Sequence, residues 1–216
     1  MSIFRRRLMM QAKAQPFECP YITDGLVFWL DGINKGKSSA GWQDLIGKYV
    51  FPWISRTKQG ENCVIFGSGA EAMVNTNVPV FGTDSTIEGC CSGGSNSQWQ
   101  IVFFQNIMML ARDSYGTQLT FKTKGTGGRF KVTVPTTFTA SANDNVALVN
   151  GVKSTTKQNS DWQIFIGTSI GARSGGSYSY AGNVHSIRIY NRLLTEEEML
   201  FNQQVDNERF NLGLEL

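Results

Sequence analysis

The apolar residues of this chain occur in short runs that alternate with polar residues and are separated by glycine, asparagine, serine and aspartate. A period of two is typical of strands with one buried face, and β-branched and aromatic residues fit such pleated surfaces. The pattern predicts strands over residues 26–30, 63–66, 86–91, 98–104, 107–112, 118–123, 129–134, 162–167 and 182–190. The middle of the chain lacks the spacing of an amphipathic helix, so the prediction is an all-β protein.

The sharpest local signal is Asn150-Gly151, which lies between the β-rich runs 145–149 and 152–156. Asn-Gly favours a type I′ turn because both central residues of that turn take positive φ. The sequence therefore predicts a tight hairpin at this point.

The run 182–190 also predicts which side chains share a face of its strand. Ile187 and Ile189 are two residues apart and are expected to point into the core. His185 has the same parity, so we expect a structural histidine on or near the packed face, with a ligand or catalytic role as the alternative. The opposite face is predicted to carry Val184, Arg188 and Tyr190.

The chain closes with the pattern of a helix start. Thr195 is followed three residues later by Glu198, which is the spacing of a capping box. Glu196, Glu197 and Glu198 would lie in the first turn, where the helix dipole favours negative charge. We predict a short helix of about two turns, packed at the edge of a sandwich.

Charge and composition narrow the classes of partner. The net charge of +3 equals the contribution of Arg5, Arg6 and Arg7, so the remainder of the chain is near neutral and a nucleic-acid partner is not expected. No run approaches the roughly 18 apolar residues of a membrane span. The apolar stretch after the arginines is too short for a signal peptide, whose core needs about 7–15 residues.

The four cysteines are expected to be buried free thiols. Cys19, Cys63, Cys90 and Cys91 form no CxxC pair, and the single histidine argues against common zinc patterns. Adjacent residues on a strand point to opposite faces, so a bond between Cys90 and Cys91 would be strained. A disulfide framework is the alternative.

Three stretches resemble the laminin-G-like, concanavalin-A-like family of lectin and glucanase jelly rolls. The closest is Gly182-Asn-Val-His-Ser-Ile-Arg-Ile-Tyr-Asn-Arg-Leu-Leu-Thr-Glu-Glu-Glu198. Gly25-Leu-Val-Phe-Trp-Leu-Asp31 with the later Trp42-Gln-Asp44, and Val146-Ala-Leu-Val-Asn-Gly151, fit the same pattern. The opening Arg5-Arg-Arg-Leu-Met-Met10 resembles the start of such proteins from gut bacteria and their phages.

This resemblance implies a two-sheet antiparallel jelly-roll sandwich with a short C-terminal helix. Residues 1–20 are predicted to form a basic N-terminal lead-in, and residues 21–216 a single jelly-roll domain. Sandwiches of this size commonly fold as one domain.

The resemblance also raises the question of glycoside hydrolysis, because glycanases share the fold. Retaining glycanases need two carboxyl groups about 5–5.5 Å apart, which the family supplies from an E-x-D-x-x-E or E-x-D-x-E strand. No strand here carries that triplet, and Glu88 stands alone in its run. Arg188 is expected to form a structural ion pair or a sheet-surface contact. We therefore expect a protein that is not an enzyme.

No cofactor is required by the sequence, although calcium remains open because some members of the family bind it. Calcium prefers six to eight oxygen ligands. Asp31, Asn34 and Asp44 flank one loop, and residues 143–145 precede the hairpin. Ordinary turns capped by Asp and Asn are the alternative explanation.

Exposed aromatic residues with polar neighbours are the candidate ligand-binding groups. The run from Arg173 to Tyr180 combines Gly and Ser with two tyrosines and a cation, which suits a recognition loop. The candidates are Arg173, Tyr178, Tyr180, Trp99 and Trp162, with core packing as the alternative for the tyrosines and the tryptophans. Trp29 and Trp42 are assigned to the core.

Two functions follow as expectations. The first is a non-catalytic binding module that recognises a carbohydrate or a cell-surface partner. The alternative is a phage virion structural or adhesion protein that uses the jelly roll as an assembly unit. Either role allows oligomers, and both fit a virion-associated or extracellular location reached without a Sec signal.

Overall fold

The computed structural model describes residues 18–82, 84–94, 100–105, 108–112, 118–122, 129–133, 135–158, 167–172 and 178–216. These residues form antiparallel sheets and one C-terminal helix, which confirms the predicted all-β sandwich. The lead-in predicted over residues 1–20 and the strand predicted over 162–167 lie almost entirely outside the described residues.

The first sheet has a continuous order of strands, with one further strand paired to its centre. Its order is β14 (Val152–Ser154), β13 (Ala147–Val149), β12 (Thr137–Ala142), β7 (Thr86–Gly93), β17 (Gly182–Tyr190), β5 (Val64–Phe66) and β4 (Thr57–Gln59), and β1 (Leu26–Asp31) also pairs with β17.

The second sheet faces the first. Its order is β15 (Lys157–Gln158), β11 (Arg129–Thr133), β10 (Gln118–Lys122), β9 (Met108–Arg112), β8 (Gln100–Gln105), β16 (Thr168–Ile170) and β6 (Met73–Asn75). A separate two-stranded ribbon joins β2 (Gly41–Gln43) to β3 (Val50–Pro52).

Two hydrophobic clusters hold three layers together. The main core fills the space between the sheets and includes Trp42, Phe28, Phe103, Leu110 and Ile187. The second cluster lies between the first sheet and the C-terminal helix and includes Tyr21, Trp29, Leu148, Met199 and Val205. Both tryptophans assigned to the core are buried, on opposite sides of the first sheet.

The helix α1 spans Glu196–Phe210, about twice the predicted length. Its start is as predicted: Thr195 Oγ1 accepts from Glu198 N, and Glu198 Oε2 accepts from Thr195 N. The later turns were not predicted because Asn202, Gln203 and Asp206 interrupt the apolar residues Met199, Val205 and Phe210 on the buried side of the helix. A mixed buried face produces only a weak apolar period.

The predicted hairpin is confirmed, with φ of 48° at Asn150 and 75° at Gly151. The register pairs Val149 with Val152 around this turn. Gln203 in α1 also accepts from the Gly151 amide at 2.9 Å, so the turn and the helix support each other.

The predicted faces of β17 are correct in one half of the strand and wrong in the other. Ile187 and Ile189 enter the main core as expected, but Val184 joins them there. A bulge between Val184 and Ser186 reverses the alternation. His185 therefore lies on the helix side of the sheet, 5.2 Å from the Phe210 ring, and remains buried.

Candidate ligand-binding rim

Strand register brings several chain segments to one end of the sandwich. β7 ends at Gly93, and β8 begins at Gln100, which pairs with Arg112 at the end of β9. Ile101 also forms a parallel bridge with Ser179. We call this end, made by residues 92–94, 171–172 and 178–183 with Gln100 and Arg112, the rim.

Tyr178 is the exposed aromatic residue of the rim. Its side chain is 42% exposed, and its backbone has φ of 59°, in the left-handed region that non-glycine residues rarely adopt. Its carbonyl accepts from the Ile101 amide at 2.9 Å, which fixes the backbone against β8. Such strained backbone is held by its surroundings and concentrates at functional sites.

Tyr180 belongs to the interior, and this corrects its prediction as a ligand-binding residue. The ring is fully buried in the main core. Its hydroxyl donates to Ser92 O at 3.0 Å, and its amide donates to Gly171 O at 2.6 Å. Although Tyr178 and Tyr180 are two residues apart, they do not present their rings on a common surface.

Close backbone packing explains the glycines of the rim. A Cβ on Gly182 would lie 2.6 Å from Ser92 O and 2.9 Å from Gly94 N, so a larger residue cannot fit without displacing backbone. Gly93 and Gly94 have φ of 83° and 106°, values that suit glycine. These glycines allow the end of β7 to pack closely against β17.

Arg112 is a charged residue buried beneath the rim. Its Nη1 donates to Gly93 O at 2.7 Å, and its guanidinium carbon lies 5.9 Å from the centre of the Phe138 ring. Burial raises the pKa of the nearby Cys91 thiol, while the charge of Arg112 opposes that rise. The hydrogen bond from Arg112 therefore holds the backbone at Gly93, the last residue of β7, from the interior of the protein.

A short chain of polar side chains runs from the rim toward the end of α1. Asn183 Nδ2 donates to Ser92 Oγ at 3.2 Å, and Ser92 Oγ lies 3.0 Å from His185 Nε2. His185 Nδ1 lies 3.1 Å from Asn62 O. Because desolvation lowers the pKa of His185, its ring is neutral near pH 7.

Three predicted binding residues lie outside the described residues: Trp99, Trp162 and Arg173. Trp99 precedes Gln100, and Arg173 follows Ala172. Gln100 and Ala172 belong to the rim. Trp162 falls between Gln158 and Gly167, which lie at the opposite end of the strands of the second sheet. The register thus places the described neighbours of Trp99 and Arg173 at the rim and those of Trp162 away from it.

Glu88 is part of a buried charge cluster under α1. Arg188 Nε donates to Glu88 Oε2 at 2.8 Å, and its two terminal nitrogens donate to Asp206 at 2.7 and 2.8 Å. Burial raises the pKa of Glu88. The expected structural ion pair of Arg188 is confirmed, but neither Asp206 nor its contact with Tyr21 was identified from sequence.

Asp31 and Asp44, two of the residues considered for calcium, accept hydrogen bonds within turns. Asp44 accepts from the amides of Trp29, Ile46 and Gly47. Asp31 accepts from the amides of Ile33 and Asn34 and pairs with Arg209. Within the described ranges, no group of three or more His, Cys, Asp or Glu side chains is arranged to hold a metal. The four cysteines are free, and Cys63, Cys90 and Cys91 are buried as expected, whereas Cys19 is partly exposed.

Comparison with known proteins supports the fold. No protein-family model and no curated sequence matches the chain. A Trypanosoma rangeli sialidase solved with sialic acid aligns with a TM-score of 0.61 and 14% identity, over 88% of this chain and 34% of the sialidase. Domain 4 of AbnA, a GH43 extracellular arabinanase from Geobacillus stearothermophilus solved with arabinotriose, aligns with a TM-score of 0.57 and 13% identity, over 83% of this chain and 98% of that domain.

The chain spans about a third of the length of the sialidases it matches. At these identities the likeness shows a shared β-sandwich fold, and function has to be argued from the site. Of the described segments, none is a helix with the length and hydropathy needed to span a bilayer.

Proposed function

We propose that the protein is a glycan-binding module that uses the rim as its recognition surface. The observation that carries this proposal is Tyr178: an exposed aromatic ring on a strained backbone that β8 holds in place. A tyrosine on a fixed backbone has only two side-chain torsions to order, so it loses little entropy when its ring stacks on the apolar face of a sugar.

The structural relatives support a carbohydrate ligand. The arabinanase domain was solved with arabinotriose and is aligned over nearly all of its length, so a unit of this size and fold is compatible with sugar binding. The matched sialidase was solved with sialic acid, although the chain corresponds to only part of that enzyme. Arabinotriose and sialic acid are therefore suitable first probes.

We also propose that the module does not cleave glycosidic bonds. Glu88 and Asp206 are fully buried and share one arginine beneath α1. Glu198 closes the helix cap and pairs with Arg192. These carboxylates are committed to structure, whereas a glycosidase needs a pair that faces its substrate.

The finer assignment to the laminin-G-like family is supported by the elements that carry the resemblance. The strand Gly182–Tyr190 forms the centre of the first sheet, and the capping box at Thr195 starts the helix directly after it. The alternative of a virion structural or adhesion role rests on residues 5–10, which lie outside the described residues. Detection of the chain in purified phage particles would support that role.

A matched pair of variants tests the binding site. Tyr178→Ala is expected to weaken binding to the best ligand on a glycan array, or to arabinotriose or sialic acid by calorimetry, by about 10-fold, which equals about 1.4 kcal/mol. Phe201→Ala is the control because Phe201 is 41% exposed but lies on α1, away from the rim. Equal affinities for both variants, at unchanged thermal stability, would place the site elsewhere.

A further inference from the structure

The hydrogen bonds of the chain from Asn183 to Asn62 have one consistent direction. A backbone carbonyl only accepts, so the His185 Nδ1 that faces Asn62 O at 3.1 Å carries the ring proton. The other nitrogen of the neutral ring, Nε2, is then an acceptor. Ser92 must donate its hydroxyl proton to Nε2 across 3.0 Å, and its oxygen is left to accept from Asn183 at 3.2 Å.

This arrangement contains the parts of an activated nucleophile. A hydroxyl is a weak nucleophile unless an adjacent base takes its proton, and the base works best when a third group fixes its orientation. Here His185 is the base and Asn62 O fixes the tautomer. The Asn183 amide donates to Ser92 Oγ, which orients the hydroxyl with its proton toward His185.

Access and protonation both favour the role. Ser92 is partly exposed at the rim, whereas the His185 ring is buried beside Phe210. Desolvation lowers the pKa of His185, so the ring is free to take a proton near pH 7. The bulge between Val184 and Ser186 is what brings His185 onto this face.

We infer that Ser92 is an acyl-acceptor site, at which Ser92 Oγ takes an acyl group from a reactive carboxylic ester with His185 as the base. Oγ attacks the ester carbonyl and forms a C–O bond while its proton moves to His185 Nε2. The tetrahedral intermediate then expels the alcohol oxygen, which takes the proton from His185. The products are O-acyl-Ser92 and a free alcohol. This modification is independent of the proposed glycan binding.

A fluorophosphonate ester tests the inference on the full chain. The reaction is equivalent, with phosphorus in place of the carbonyl carbon and fluoride as the leaving group. We expect one adduct per chain by intact mass, mapped to Ser92 by peptide mass spectrometry. Its rate of formation should exceed that at exposed Ser39 by at least about 100-fold, the range in which a positioned base acts. Labelling of Ser92 no faster than Ser39, or no labelling, would overturn the inference.

Two variants separate activation from simple exposure. His185→Gln should slow labelling of Ser92 by about 100-fold, since glutamine cannot take the proton. Asn183→Ala keeps His185 as the base and should slow the labelling of Ser92 several-fold. This variant provides the test if His185→Gln does not fold. Ser39→Ala is the control and should leave the adduct unchanged. Labelling of Ser92 that neither His185→Gln nor Asn183→Ala slows would contradict the role of the chain.

Discussion

Replacing Arg188 with methionine should strongly destabilise the protein, because it removes the positive charge from a buried cluster. Glu88, Arg188 and Asp206 have no exposed side-chain surface. Arg188 also donates to Ser186 Oγ at 3.0 Å and lies 3.8 Å from the centre of the Tyr21 ring. Methionine fills part of the volume but leaves both carboxylates without their counter-ion.

The expected loss is about 4 kcal/mol at pH 7, within the range of 3–5 kcal/mol for breaking a buried pair by removal of one partner. Each carboxylate keeps two donors, which limits the loss: Ser141 and Asn202 for Glu88, and Tyr21 and Thr139 for Asp206. A loss of this size is a large share of the roughly 5–15 kcal/mol that stabilises a typical domain.

The loss should also depend on pH in a defined direction. Burial raises the pKa of Glu88 and Arg188 opposes that rise, so removing Arg188 raises the pKa further. A carboxyl whose pKa is higher in the folded state stabilises the fold at low pH, and this stabilisation disappears as pH rises through the folded value. The difference between the variant and the wild type should therefore be larger at pH 8 than at pH 5.

Urea unfolding can be followed by tryptophan fluorescence, to which Trp29 contributes from this layer, with its ring centre 5.4 Å from that of Tyr21. The triple variant Arg188→Met, Glu88→Gln, Asp206→Asn should recover most of the loss, since it buries no charge. Arg56→Met is the control for an exposed arginine and should leave the midpoint unchanged. A loss below about 1.5 kcal/mol, or one that is the same at both pH values, would refute the reasoning.

Two further predictions concern the helix cap and the histidine. Thr195→Ala should lower the free energy of unfolding by about 1 kcal/mol, because the Glu198 amide loses its hydrogen-bond acceptor. Glycan binding should be unchanged. An unaltered urea midpoint would show that the cap contributes nothing to stability. Burial lowers the pKa of His185 below its ordinary 6.5, so the wild type should lose stability as pH falls below that value, and His185→Gln should flatten this part of the profile. Equal slopes for wild type and variant between pH 7 and pH 5 would contradict the assigned environment.

Local chemistry predicted the elements whose signal lies within a few residues. Asn150-Gly151 was identified correctly because a type I′ turn depends on two backbone conformations that those residues favour. The cap at Thr195 was identified for the same reason, since its donors and acceptors are three residues apart. The length of α1 was underestimated because its polar buried face has partners far away in the chain.

At the rim, too, local sequence predicted only part of the arrangement. Composition identified the run that ends at Tyr180 as a recognition loop, and Tyr178 is exposed. The sequence could not distinguish the exposed Tyr178 from the buried Tyr180. That difference depends on the Ser92 carbonyl and the Gly171 carbonyl, which are remote in sequence. Ser92 was not identified from the sequence, because it comes within hydrogen-bond distance of His185 only when β7 pairs with β17.

Local sequence was sufficient to predict the class of fold, the turn at Asn150 and the start of the helix, because alternation, turn chemistry and capping act between near neighbours. Which charges are buried together and which side chains meet at the rim depend on long-range packing. A single bulge in β17 moved Val184 into the core and His185 to the helix side. Contacts across 93 residues, as between Ser92 and His185, depend on strand register, which local sequence does not encode.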